Sequence, residues 1–198
     1  MQRSTSVDAA SSTLIERAAG GDRQAFGELY EQHALRVFRH AYFLTGDPFL
    51  AEDMTAQTFL KALEAIPRYE DRGVPFIAWL LRITGNLTIN YKKAQKNGHH
   101  AQLPETLEDE DRFTSPEKSC EVKSNSERVW QLVCRLPHEQ RQVVVMRFID
   151  DLPYQEVAQV LNKSVGAVRV IQFRALACLR RMVEEEDMAM AYAGARAS

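Results

Sequence analysis

The sequence predicts an all-α protein made of two small helical domains joined by a flexible linker. Three observations lead there. Apolar residues recur at three- and four-residue spacing along both halves of the chain. Gly, Asp and Pro fall where helices would stop and start, as in Gly46-Asp47-Pro48. Between the halves, periodicity disappears and Pro104 to Glu127 carries eight acids against three bases. The expected divisions are a disordered start over 1–12, a first domain over 13–97, an acidic flexible linker over 98–125, a second domain over 126–183 and a tail over 184–198.

In the first domain, a short helix through Leu14 and Ala18 ends at Gly20-Gly21, and Asp22 is placed to cap a second carrying Phe26, Leu29, Tyr30, Val37 and Ala41. After Gly46, Asp47 caps a third helix that runs to about Ile66. It should bury Ala51, Thr55, Phe59, Ala62, Leu63 and Ile66, leaving Glu52, Asp53, Gln57 and Lys61 outside. Pro67 to Pro75 is a loop, and Phe76 to about Lys96 is a long helix. One face of that helix, Phe76, Leu80, Ile83, Leu87 and Tyr91, is core. An adjacent face aligns Trp79, Arg82, Asn86, Asn90 and Lys93. Asn is unfavourable in mid-helix, so its alignment with cations suggests a surface that hydrogen-bonds something polar. The plainer reading is a soluble face with Trp79 half buried.

In the second domain, Val129, Leu132, Val133 and Leu136 mark one helix, and Glu139 to Ile149 another, whose Val143, Val144, Met146 and Phe148 can cover the two helices next in the chain. Leu152 to Arg181 reads as a helix-turn-helix. Val157, Ala158 and Leu161 form its first helix, Asn162 and Lys163 fill the turn, and Ser164 caps the second. Val168 and Ile171 then point inward, which leaves Arg169, Gln172, Phe173 and Arg174 for another surface. Five basic residues face one acid, Glu156, over this stretch, so duplex DNA fits better than a merely solvated arginine face.

Composition excludes several classes. No apolar run approaches the ~20 residues that span a bilayer, and the start lacks a signal-peptide core, so a cytoplasmic protein without membrane insertion is expected. Cys120, Cys134 and Cys178 show neither disulfide nor zinc spacing, and His99-His100 reads as a solvated pair rather than a metal site. With no nucleophile–base pairing, Gly-rich phosphate loop or metal cluster, the chain is expected to be no enzyme and to need no cofactor.

Together the halves resemble the sigma-70 type factors of bacterial RNA polymerase, specifically the small extracytoplasmic-function (ECF) group. The resemblance is carried by GDRQAFGELY (Gly21 to Tyr30), DPFLAEDMTAQTFLKAL (Asp47 to Leu63), FIAWLLRITGNLTINYKK (Phe76 to Lys93), LPHEQRQVVVMRFIDDLPYQEVAQVL (Leu136 to Leu161) and SVGAVRVIQFRALACLR (Ser164 to Arg180). It implies that the first domain is sigma region 2 and the second region 4. Asp47, Glu52, Asp53 and Gln57 would then contact core polymerase. Arg68, Tyr69, Arg82, Asn86, Asn90, Lys92 and Lys93 would open and read the promoter −10 element. Ser164, Arg169, Val170, Gln172, Phe173 and Arg174 would face the −35 element. An anti-sigma partner is implied as well.

The sequence departs from the family pattern at Pro153, in place of a Ser or Thr cap, at Asn90, where Asp is common, and at Ile171 and Gln172 on the reading helix. Two rivals remain: a helix-turn-helix regulator that binds duplex DNA without polymerase, and a helical adaptor with no DNA role.

Overall fold

A computed structural model describes residues 4–71, 73–96 and 120–196. As the sequence predicts, their regular structure is helical: α1 (Ser4–Ala19), α2 (Arg23–Thr45), α3 (Pro48–Ala65), α4 (Phe76–Lys96), α5 (Cys120–Arg135), α6 (His138–Phe148), α7 (Tyr154–Leu161) and α8 (Val165–Arg196), with a 3-10 turn at Ile66–Arg68. Among the described residues there is no strand, and no helix is long and apolar enough to cross a membrane.

Local chemistry sets the helix ends. Asp22 Oδ1 accepts from the backbone N–H of Gln24 (3.0 Å) and Ala25 (3.1 Å), satisfying donors that the first turn of α2 would otherwise leave open. The Ala25 N–H and then the Arg17 guanidinium hold this carboxyl below the usual carboxylate range. At the other end, Gly46 adopts φ 84° and closes α2. Asp47 then accepts from Phe49 N (2.9 Å) and Leu50 N (3.2 Å), with Pro48 in the first turn of α3. Asp47→Ala is expected to cost about 1 kcal/mol in urea unfolding; an unchanged midpoint would contradict the capping account.

The first module is built on α2, α3 and α4, which bury Leu29, Val37, Phe59, Ala62 and Leu80 between them, with Leu14 and Ala18 of α1 laid on top. Thr58 and Thr84 share a buried hydrogen bond of 3.0 Å, so even the polar atoms at the α3–α4 crossing are satisfied. In the second module, Leu136, Val144 and Val145 pack with Ala175 of α8.

The modules are not held apart. One apolar cluster runs from Ile77 and Leu81 of α4 to Val143, Met146, Leu152 and Val157. Polar groups tie the same seam. His40 Nδ1 and Asp150 Oδ2 meet at 2.6 Å, both fully buried. Arg36 donates to the Asp150 carbonyl. The Leu44 carbonyl, at the negative end of α2, accepts from Arg141 Nη1 (2.8 Å) and Lys92 Nζ (3.0 Å). Tyr42 stacks on Trp130 with centroids 5.2 Å apart. Gly85 allows the closest approach, because a Cβ there would lie 2.6 Å from Gln142 Nε2.

Several helix bounds and faces differ from those the spacing suggests. Helix α1 begins at Ser4, within the stretch expected to be disordered, and α5 begins at Cys120, within the expected linker. Residues 97–119, including His99-His100 and most of that linker, lie outside the described residues, as do 1–3. The acidic tail is the continuation of α8. It is fastened to α5 by Arg128 to Glu186 (3.3 Å) and Asp187 (2.5 Å), and by Arg135 to Glu186 (2.8 Å). Leu63 and Phe148, expected inside, are 47% and 55% exposed, because among the described residues no helix packs on those faces of α3 and α6.

Candidate nucleic-acid interface

The sequence points to two polar surfaces, one on α4 and one on α8. On α4 the structure keeps Arg82, Asn86, Asn90 and Lys93 exposed in one row, with Trp79 half buried at its head. The 3-10 turn presents Arg68 to solvent and brings Tyr69 back against the helix. There the Tyr69 ring lies 4.9 Å from Trp79 and 5.5 Å from Phe76, edge to face, and Phe76 lies 5.3 Å from Trp79. Burial, and then the Asp71 charge, push the Tyr69 hydroxyl above its ordinary pKa, so it stays a neutral donor. Arg68, Tyr69, Trp79, Arg82, Asn86 and Asn90 line a cleft of about 980 Å³ whose other wall is Gln159, Val160 and Asn162 of the helix-turn-helix. The cleft therefore combines amide edges, cations and aromatic rings, the groups that hold unstacked bases.

Lys92, which the resemblance implies would act on the −10 element, does not join this row. Its ammonium is half buried and spent on the Leu44 carbonyl. Desolvation, and then the nearby Arg141 charge, lower its pKa below the usual lysine range. The cause is packing: the helical turn that aligns Asn86, Asn90 and Lys93 outward carries position 92 toward the end of α2.

On α8, Ser164 caps as expected, its Oγ accepting from Ala167 N at 3.1 Å. Asn162 takes the left-handed conformation, φ 52°, and lets the chain turn tightly between α7 and α8. Pro153 provides no side-chain cap for α7, the loss its identity implies. Val168 is fully buried, while Arg169, Val170, Phe173 and Arg174 are exposed, Phe173 by 75%. Gln172 differs: it is half buried, and its Oε1 is enclosed without a hydrogen-bond partner among the described residues. It sits on the shoulder of the reading face rather than its crest.

Of the residues expected on α3, Glu52 is exposed, and Asp53 and Gln57 are half exposed and joined by a 2.9 Å hydrogen bond. Asp47 is engaged as the cap. The apolar side chains Phe49, Leu60 and Leu63 stand exposed on the same helix, a surface the helical spacing did not reveal.

Sequence reasoning missed the seam between the modules. His40 carried the one legible signal: it lies three residues after Val37 and four before Leu44, both buried, so a polar side chain stood in a core register and required a buried partner.

Comparison with known proteins bears on both surfaces. The family model for sigma-70 region 2 matches residues 29–98, and that for sigma-70 region 4 matches residues 134–181. The chain is 34% identical to the ECF RNA polymerase sigma factor BldN of Streptomyces coelicolor over 87% of its own length and 66% of that protein's. It is also 34% identical to ShbA of Streptomyces griseus, again an ECF RNA polymerase sigma factor, over 87% of this chain and 94% of that one. Among solved structures, CnrH in complex with the cytosolic domain of CnrY is similar at 26% identity and a TM-score of 0.67, covering 89% of this chain and 98% of that one.

Proposed function

Because the chain belongs to the extracytoplasmic-function sigma factors of RNA polymerase, we propose that it acts in the cytoplasm, without catalytic chemistry of its own, and divides promoter recognition between its modules. Residues 13–97 contact core polymerase through Glu52, Asp53 and Gln57 on α3, and take up unpaired −10 bases along Arg68, Tyr69, Arg82, Asn86, Asn90 and Lys93. Residues 126–183 place α8 in the −35 major groove, with Ser164 ending the turn and Arg169, Val170, Phe173 and Arg174 facing the bases. The observation that carries this reading is the exposed amide and cation row of α4, with its aromatic cluster, in the same chain as a capped, basic helix-turn-helix. A regulator reading duplex DNA alone would have no use for that row.

One consequence is mechanical. The −35 and −10 elements lie about 25 base pairs apart, roughly 85 Å along the duplex, whereas Asn86 and Asn162 line one cleft. The modules must therefore separate on the promoter, and the packed arrangement is the free or partner-held form. By analogy with CnrH, solved with CnrY, and with RpoE, solved with the anti-sigma factor NepR, an anti-sigma protein is the expected holder.

The test is transcription by core polymerase with and without this chain on a promoter library. New start sites that depend on the chain are expected; none, with the protein folded and no inhibitor present, would sink the reading. Arg169→Ala or Arg174→Ala should weaken −35-dependent initiation by about 1–3 kcal/mol while leaving core binding intact. Glu52→Lys should do the reverse.

A further inference from the structure

We propose that Tyr154 is a positioning residue for −35 readout, acting through Arg169; this rests on α8 being the helix that reads the duplex. Tyr154 is the first residue of α7 and half buried. The guanidinium carbon of Arg169, on α8, stands 5.2 Å from the centroid of its ring. That of Arg147, on α6, stands 4.2 Å from the same centroid, and Arg147 Nη1 donates to the carbonyl of Leu152, just ahead of α7. Three helices thus converge on one aromatic ring, with the Leu152 carbonyl fixing Arg147, Arg147 seated on the ring, and the ring facing Arg169.

The physical consequence is preorganisation. An exposed arginine samples many rotamers and loses that freedom when it binds, at the expense of affinity and of discrimination. A guanidinium within about 6 Å of a ring centroid is attracted by the ring quadrupole. Arg169 is therefore restrained before DNA arrives. Among the described residues Arg174, on the same helix, has no ring beneath it, so the restraint is particular to Arg169. Pro153 gives α7 no side-chain cap, and the stack also steadies the turn from which the ring projects.

The experiment uses the full chain with core polymerase on a panel of duplex promoters, each −35 base varied singly, and on a pre-melted template bearing the −10 strand alone. Tyr154→Leu and Tyr154→Met, which lack a π face, should lower initiation from the best −35 sequence about two- to fivefold and flatten base preference at the position that Arg169→Ala flattens. Tyr154→Phe should restore the wild-type profile. Adding Tyr154→Leu to Arg169→Ala should cause no further loss, since Tyr154 acts only through Arg169. Initiation from the pre-melted template should be unaffected in both apolar variants.

An unchanged base profile in both apolar variants, a Tyr154→Phe as damaging as Tyr154→Leu, or additive losses in the double variant would each overturn the proposal. So would equal losses on all templates, the mark of a purely structural role. A wild-type chain that fails to initiate with core polymerase would instead overturn the assignment of α8 on which the proposal rests.

Discussion

His40→Ala is expected to destabilise the folded chain by about 3–5 kcal/mol, a substantial share of the total stability of a domain this size. His40 and Asp150 are buried from solvent and 2.6 Å apart, so deleting the imidazole strands a carboxylate where water cannot reach it. Geometry prevents an easy escape. Asp150 sits in a turn tied by Asp150 N to Val145 O (3.0 Å) and Leu152 N to Met146 O (2.9 Å), and Asp151 beside it is already in the left-handed region, φ 52°. The turn cannot simply rotate the acid outward.

The pair itself is a different matter. Replacing both members by leucine, which leaves no orphaned polar group, should cost far less than either single alanine variant, because desolvation offsets most of the attraction within a buried polar pair. Urea unfolding of the two single variants and the double variant at pH 7.5 measures this directly. A small loss in His40→Ala, or a double variant as unstable as the summed singles, would show that the seam does not depend on this contact.

That seam marks where sequence reasoning stopped. Helix ends are set by neighbours within three residues, so Asp22, Gly46-Asp47-Pro48 and Ser164 were legible, and each caps or breaks as expected. The α4 row was legible for the same reason, since helical geometry alone places Arg82, Asn86, Asn90 and Lys93 together. What spacing cannot say is which apolar face meets another. Ile77 and Leu81 are buried in one cluster with Met146 and Val157 of the second module, whereas Leu63 and Phe148 are exposed. Residue type alone suits Lys92 to DNA, yet its partner is a carbonyl 48 residues away. The acidic tail was nearer to legible. Arg180 with Glu184 and Arg181 with Glu185 are i,i+4 pairs within one helix, whereas the arginines of α5 that fasten it lie more than 50 residues earlier.

Acidification should loosen the folded chain between about pH 6.5 and pH 4. His33 and His138 are both lowered from the ordinary histidine value of 6.5 to about 4. For His33 the causes are burial and then the Arg36 charge; its ring lies 5.7 Å from Phe76. For His138 burial again leads, followed by the charges of Lys92, Arg141 and His40, with Glu139 opposing them. Above pH 6.5 both histidines are neutral whether the chain is folded or not, and they contribute nothing to the pH dependence. As pH falls through 6.5 the unfolded chain takes up protons that the folded chain refuses, so stability declines until the folded sites also protonate near pH 4.

Discounted for the partial exposure of both rings, the loss is on the order of 3 kcal/mol for the two together. Two of the groups that depress His138, Lys92 and His40, belong to the first module, so part of the penalty disappears when the modules separate. Acid should therefore favour the separated arrangement before it favours unfolding. In urea melts at pH 7.5, 6 and 4.5, His138→Gln should flatten the upper part of the stability profile, and His33→Gln should flatten it independently. In a fluorescence-transfer pair with one dye on each module, wild-type separation should rise as pH falls from 6.5, and His138→Gln should blunt that rise while His33→Gln leaves it intact. If His138→Gln changes neither profile, the charges converging on its ring do not govern closure.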